Sequence, residues 1–288
     1  MKIVSFQKKD GPALGVLDGN DVIDLSAVAK SLPRDLKTLF AGGTKEMSAV
    51  KKAVAGAKPR HRTTAGKIKF LPPISDPNKI VCLGLNYRDH AIETNNPIPK
   101  FPIIFLRTAS TLTGHKQPML MPKVSKQYDF EAELAVIIGK KGYRLPKTRA
   151  LSIVAGYSCF NDGSVRDYQL GRGPQWTLGK NFDGSGGFGP CFVTADELPK
   201  GGNNLRIACR LNGKTVQDSN TKQHIFDVPT AIAAITEVMT LEPGDVIIMG
   251  TPNGVGSGRK PPLWMKPGDV CEIEIEGIGV LRNPIKAK

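Results

Sequence analysis

Cysteine is scarce: Cys82, Cys159, Cys191, Cys209 and Cys271 are an odd, scattered set in 288 residues, with no Cys-x-x-Cys pair. That excludes a zinc knuckle or a disulfide framework and favours a reducing compartment, the cytoplasm, with the thiols buried as small hydrophobes. No apolar run approaches the ~20 residues that cross a bilayer, so no membrane association is expected. The opening MKIVSFQKKDG lacks the apolar core of a signal peptide. Acid is scarcer than base, with 26 Asp and Glu against 40 Lys and Arg and a net charge of +14. Residues 1–70 hold +8 of that excess. No helix-turn-helix, zinc site or aromatic-basic interleaving accompanies it, so it reads as a solvated surface that also draws in anions rather than as a nucleic-acid face. Internal repeats and low-complexity tracts are absent as well.

What is present suggests two units. Residues 1–70 form a small α+β domain: short strands in MKIVSFQ and ALGVLDGNDVIDLS with a turn at 18–21, then helices over 35–41 and 47–57 separated by Gly42 and Gly43. A polar linker over 55–67 leads to the main domain, 71–288. There the signals turn mostly to strands, with buried candidates at 79–87 and 101–107, a third at 153–162 and a fourth at 246–250. Residues 205–219 carry Asn212-Gly213 at their centre, a strong hairpin signal. One clear helix spans 228–240, with Pro229 in its first turn. Many strands, long Gly/Pro-rich loops and few helices predict a predominantly β domain with peripheral helices, of the α+β class.

The stretch YDFEAELAVIIG, residues 128–139, reads as one strand in which Glu131, Glu133, Ala135 and Ile137 share a face. Two carboxylates held side by side repel unless something positive lies between them, and a hard divalent cation takes oxygen ligands. A solvated face is the alternative, and 270–279 supplies that case: Glu272, Glu274 and Glu276 alternate with Cys271, Ile273 and Ile275 as a half-exposed strand. A third acid, Asp162, ends the strand at 153–162. Three carboxylates with open positions suit Mg²⁺ or Mn²⁺ better than zinc. In GLNYRDHAIET, residues 84–94, a short helix would put His90 and Glu93 on one face, where the carboxylate orients the imidazole as a base. Of the Gly-rich segments 179–190 and 250–258, the second lacks the Gly-Lys-Ser/Thr of a Walker loop and cannot open a helix as a Rossmann turn would, so a loop approaching a small anion fits better than a phosphate cradle.

GLNYRDH, the E-x-E strand, ND-x-S-x-RD-x-Q, GK-x-FD, NG-x-x-x-Q-x-x-x-T, LEPGD, GTP-x-GVG and KPGD follow in one order between residues 79 and 284. Together they resemble the fumarylacetoacetate hydrolase family. The resemblance implies a mixed β-sandwich roll as catalytic domain, a homodimer, and Mg²⁺ or Mn²⁺ on Glu131, Glu133 and Asp162. It implies His90 and Glu93 as a water-activating dyad on a lid, and Arg166, Gln169, Lys180 and Thr251 as substrate contacts. Lys180 and Arg166 would offset charge developing in the reaction. Arg107, in FLR where relatives commonly read FLK, would join the substrate contacts. Gly163, Val165 and Gly187 also depart from the family pattern. The substrate expected is a small anionic 2-oxo acid. The reaction expected first is metal-dependent hydrolysis of a carbon–carbon bond in a 2,4-dioxo acid of the acylpyruvate or fumarylpyruvate type. Oxaloacetate-type decarboxylation and 2-hydroxyhepta-2,4-diene-1,7-dioate isomerisation are alternatives, and a non-catalytic oxo-acid binding protein is a more distant one.

Overall fold

The computed structural model describes residues 1–288. A 12-stranded sheet dominates it, and a five-stranded sheet packs against it. The centre of the large sheet is the strand Ala132–Ile138, buried at every position. It pairs antiparallel with Val154–Asp162 on one side and Val246–Ile248 on the other. A strand covered on both faces carries a continuous apolar run, and Glu133 is its only charge.

The two faces of that strand serve two parts of the core. Ala135 and Ile137 pack with Phe160, Phe192 and Ile248 against Leu36, Leu39, Phe40 and Val50, which come from the helices Leu36–Ala41 and Gly43–Ala55. Leu134 and Val136 pack with Ile207, Cys209, Cys271 and Ile273 of the second sheet. The sheet is thus sandwiched between N-terminal helices and C-terminal strands. All five cysteines are free and buried.

The first 70 residues join the same sheet. Lys2–Lys8 pairs with Gly186–Thr194, and Asp21–Asp24 pairs with Arg62–Thr64. The segment expected as a polar linker is therefore partly a strand, because its backbone completes an edge that the short Asp21–Asp24 strand would otherwise leave open. Ile103–Arg107, expected to be buried, pairs only with Ile80–Gly84 at the sheet's edge, which leaves Ile104 and Leu106 exposed.

The hairpin is as expected: Arg206–Leu211 and Lys214–Asn220 pair across a turn in which Asn212 and Gly213 have φ of 53° and 79°. Two successive left-handed residues make a type I′ turn, which Asn-Gly tolerates best. The helix Val228–Val238 begins at Asp227, whose side chain accepts the Thr230 N–H. Val270–Ile275 alternates buried and half-buried residues, and its Glu272 and Glu274 both pair with Arg210.

Candidate active site

The strand expected over 128–139 is interrupted. Tyr128–Asp129 pairs with Ser164–Val165, and Ala132–Ile138 begins after a break at Phe130 and Glu131. Side chains replace the ladder at the break: Asp129 accepts the Phe130 N–H at 2.8 Å, Asn161 Oδ1 the Glu131 N–H at 3.1 Å, and Gln217 Oε1 the Ala132 N–H at 2.9 Å. The backbone groups stay satisfied while Glu131 swings toward Asp162. The Asp162 N–H donates to the Glu131 carbonyl at 3.0 Å, which fixes the two residues at one level.

Glu131, Glu133 and Asp162 each present an oxygen to one point, all within 4.8 Å of one another, and all three are buried. Lys180 Nζ donates to Glu131 at 2.5 Å and to Asp162 at 2.7 Å. Arg166 Nη2 lies 2.7 Å from the other Glu131 oxygen. Burial raises the Glu131 carboxyl, but the Lys180 and Arg166 charges outweigh it and bring it down to about 2. Burial also opposes the Lys180 charge, and Asp162 and Glu131 more than restore it. Glu133 has no such partner. Burial, then the Asp162 and Glu131 charges, push its carboxyl well above the usual range, and only the Gly250 N–H donates to it.

The buried charges decide what fits. Four carboxylates, Asp129, Glu131, Glu133 and Asp162, face three cations, Arg107, Arg166 and Lys180. Glu133 is the carboxylate left without a cationic side-chain partner. An all-oxygen cluster of surplus negative charge fits a divalent cation, Mg²⁺ or Mn²⁺, and leaves a net positive site for an anionic substrate.

A cavity of 370 Å³ opens onto this cluster. His90, Gln169, Lys180, Thr251, Ser257 and Trp176 are among the residues that line it. His90 sits on the helix Arg88–Glu93, with Nδ1 3.3 Å from Glu93 Oε2. Glu93 Oε1 accepts the Gly254 N–H at 2.9 Å, so the glutamate ties the histidine's helix to the loop that follows Thr251. Burial raises the Glu93 carboxyl, while the His90 hydrogen bond and the Gly254 N–H lower it further, so it is held as an anion. An anionic Glu93 favours the tautomer with a proton on Nδ1, which frees Nε2 to act as a base.

Eight of the ten candidate residues line the cavity, and Glu93 stands behind one of them, His90. Gln169 lines it while accepting from Arg166 Nη1 at 2.8 Å, and Thr251 Oγ1 accepts from Gln217 at 2.9 Å. Arg107 is the correction. It is buried behind Asp162 and does not line the cavity: its guanidinium pairs with Asp162 and donates to Ser185 Oγ at 2.7 Å and to the Gly163 carbonyl at 3.3 Å. As the last residue of an edge strand with alternating exposure, it points inward beneath the carboxylates. Gly163 has a local reason too, since a Cβ there would meet the Ser185 carbonyl oxygen at 2.1 Å.

Asp129 was not anticipated. Its Oδ1 also accepts the Gly256 N–H at 2.7 Å, and its Oδ2 accepts the Ser257 N–H at 2.9 Å and Arg166 Nε at 2.7 Å. A third acid in the apolar run YDFEAE was the available signal.

Residues 79–286 match the family described as fumarylacetoacetate (FAA) hydrolase C-terminal. The chain belongs to the fumarylacetoacetate hydrolase family. It is 42% identical over 290 residues to the mitochondrial oxaloacetate tautomerase of Xenopus laevis, covering 99% of this chain and 90% of that one. A Homo sapiens mitochondrial oxaloacetate tautomerase is also 42% identical, at 99% and 91% coverage. Among solved structures, a Sphingobium maleylpyruvate hydrolase in complex with manganese (II) ion and pyruvate is 28% identical, with a TM-score of 0.82 over 100% of this chain and 99% of that one. No helix is long and apolar enough to cross a membrane.

Proposed function

We infer that this chain is an enzyme that interconverts the keto and enol forms of an oxaloacetate-type 2-oxo dicarboxylic acid. The observation that carries the reading is the Glu93-held imidazole of His90 in the same cavity as the three convergent carboxylates. Tautomerisation needs one proton taken from C3 and one delivered to the C2 oxygen, with no bond between heavy atoms broken. His90 Nε2 removes the first, and the resulting imidazolium, stabilised by Glu93, supplies the second. A bound divalent cation on Glu131, Glu133 and Asp162 would supply Lewis-acid polarisation of the 2-oxo group. The Lys180 ammonium and the Arg166 guanidinium offset the negative charge that accumulates on substrate oxygen. Gln169 and Thr251 orient the carboxylate ends.

The 42% identity to named oxaloacetate tautomerases favours this reaction over the hydrolysis expected first from sequence. Hydrolysis of an acylpyruvate is the second reading, favoured by the likeness to maleylpyruvate hydrolase. It would use the same His90–Glu93 pair to activate water. The test is a panel containing enol-oxaloacetate, oxaloacetate and acylpyruvates, assayed with Mg²⁺ and with Mn²⁺. The proposal expects rapid loss of the enol's ultraviolet absorbance with no pyruvate released. Cleavage of acylpyruvate without enol–keto exchange supports the second reading, and binding without turnover supports a non-catalytic protein.

Homodimerisation and a cytoplasmic location belong to the same proposal. Phe101, 78% exposed, and the edge residues Ile104 and Leu106 are exposed apolar side chains that a second copy would cover. Sedimentation of a monomer at micromolar concentration would count against the dimer, and recovery in an organelle fraction against the location.

A further inference from the structure

Trp176 lines the cavity with its indole in a seat carved out by a glycine. A Cβ on Gly84 would fall 2.0 Å from Cζ3 of the indole and 2.5 Å from Cη2, and its three nearest neighbours are all indole atoms. Gly84 lies outside the left-handed region, so any residue could adopt its backbone. Glycine there makes room and serves no turn. The indole also meets the Phe105 ring edge-on, with centroids 5.5 Å apart and planes at 71°. The Lys180 ammonium lies 5.2 Å from the Phe105 centroid. Indole, phenyl ring and ammonium therefore form a continuous wall from the half-exposed Trp176 to the buried charges.

The indole and phenyl stretch of that wall is apolar, whereas Thr94 and Asn96 of the same cavity are polar. A volume of 370 Å³ lies at the small end of the range for ligand pockets, roughly 300–1,000 Å³. An acid anchored at Lys180 thus has little length available before it reaches the indole.

We propose that Trp176, seated on Gly84, is the specificity-determining wall of the cavity: it admits a four-carbon 2-oxo diacid and turns away 2-oxo acids with a longer tail. This rests on the 2-oxo acid reading of the site. An apolar pocket discriminates by about 10–200-fold for each methylene that it cannot accommodate. Removing the indole should recover selectivity of that order for longer acids while leaving small ones little changed.

The test uses Trp176→Ala, Gly84→Ala and the double variant, each loaded with Mn²⁺. Calorimetry reads the Kd for oxalate, which reaches only the charged end, and for 2-oxooctanoate, which needs the full length. Trp176→Ala should raise the affinity for 2-oxooctanoate relative to oxalate by about tenfold or more. Gly84→Ala, which forces the indole to move, should weaken both ligands, and adding Trp176→Ala should abolish that loss, a non-additive pair expected of residues in contact. The steady-state preference between enol-oxaloacetate and longer acylpyruvates should shift in parallel. A wild type that binds oxalate, with a ligand ratio unmoved by Trp176→Ala, overturns the wall and leaves the 2-oxo acid reading standing. A double variant as weak as Gly84→Ala alone also overturns it. A wild type that binds neither acid overturns both.

Discussion

Asp129→Asn should be the most damaging isosteric change near the site. The carboxylate is wholly buried, and its two oxygens accept four hydrogen bonds, from the N–H groups of Phe130, Gly256 and Ser257 and from Arg166 Nε. Asparagine keeps the shape but presents an NH₂ where two donors already point. It also removes a charge beside Arg166. Burial opposes the Arg166 charge, and the Asp129 and Glu131 carboxylates reverse that, so the guanidinium stays charged with one partner lost. Breaking a buried pair from one side costs about 3–5 kcal/mol. At about 2 °C or more per kcal/mol for a chain of this size, Tm should fall by at least about 6 °C. A thermal melt checks this, with Asp218→Asn as control. The Arg206–Asp218 pair is exposed on both sides, at 58% and 47%, and its loss should leave Tm unchanged. KM for the oxo acid should rise as well, because Arg166 and Ser257 lose their common anchor. A variant that melts within about 1 °C of wild type, which is well under 1 kcal/mol, would refute the role given to Asp129.

Lys180→Met should lower kcat by about 10²-fold or more without weakening Mn²⁺ binding, since it removes a cation that shares Glu131 and Asp162 with the metal; unchanged kcat with a raised KM would indicate uniform substrate binding instead. Stability should fall as pH drops from about 6.5 toward 4: burial holds His224 down to about 3 and His115 down to about 4, so the unfolded chain takes up protons that the fold refuses. At pH 5 each should cost about 2 kcal/mol, and His224→Gln should flatten the slope of Tm between pH 7 and 5; an unchanged slope contradicts this. Gly213→Val should destabilise by about 1 kcal/mol or more in a denaturant titration, because a β-branched residue resists φ of 79°; an unchanged midpoint would contradict it.

Continuous apolar runs made the central strand and its partner ending at Asp162 legible, because burial of both faces dictates residue type directly, and Asn212-Gly213 marked the hairpin. The His90–Glu93 pair was legible because three-residue spacing on a helix is local. The break at Phe130 and Glu131 was not, since nothing local announces that Asn161 and Gln217, 30 and 85 residues away from the amides they serve, will stand in for ladder partners. Arg107 was misplaced because a resemblance gives the position but not the side chain's direction, which the edge register sets. Lys180 was expected to meet substrate. In the fold it is first a counter-ion, shared by two carboxylates, and only its proximity to the cavity gives it a chemical role.

The account depends on a divalent cation at the carboxylate cluster, where Glu133 is left without a cationic side-chain partner. The direct measurement is a Mn²⁺ titration of chelator-treated protein by electron paramagnetic resonance, with the enol–keto exchange rate read at each point, for wild type and Glu133→Gln. The account predicts one Mn²⁺ per chain in wild type, a rate that rises in proportion to occupancy, and loss of both in Glu133→Gln. Full exchange in excess chelator, or a Glu133→Gln variant that binds Mn²⁺ as wild type does, would contradict it.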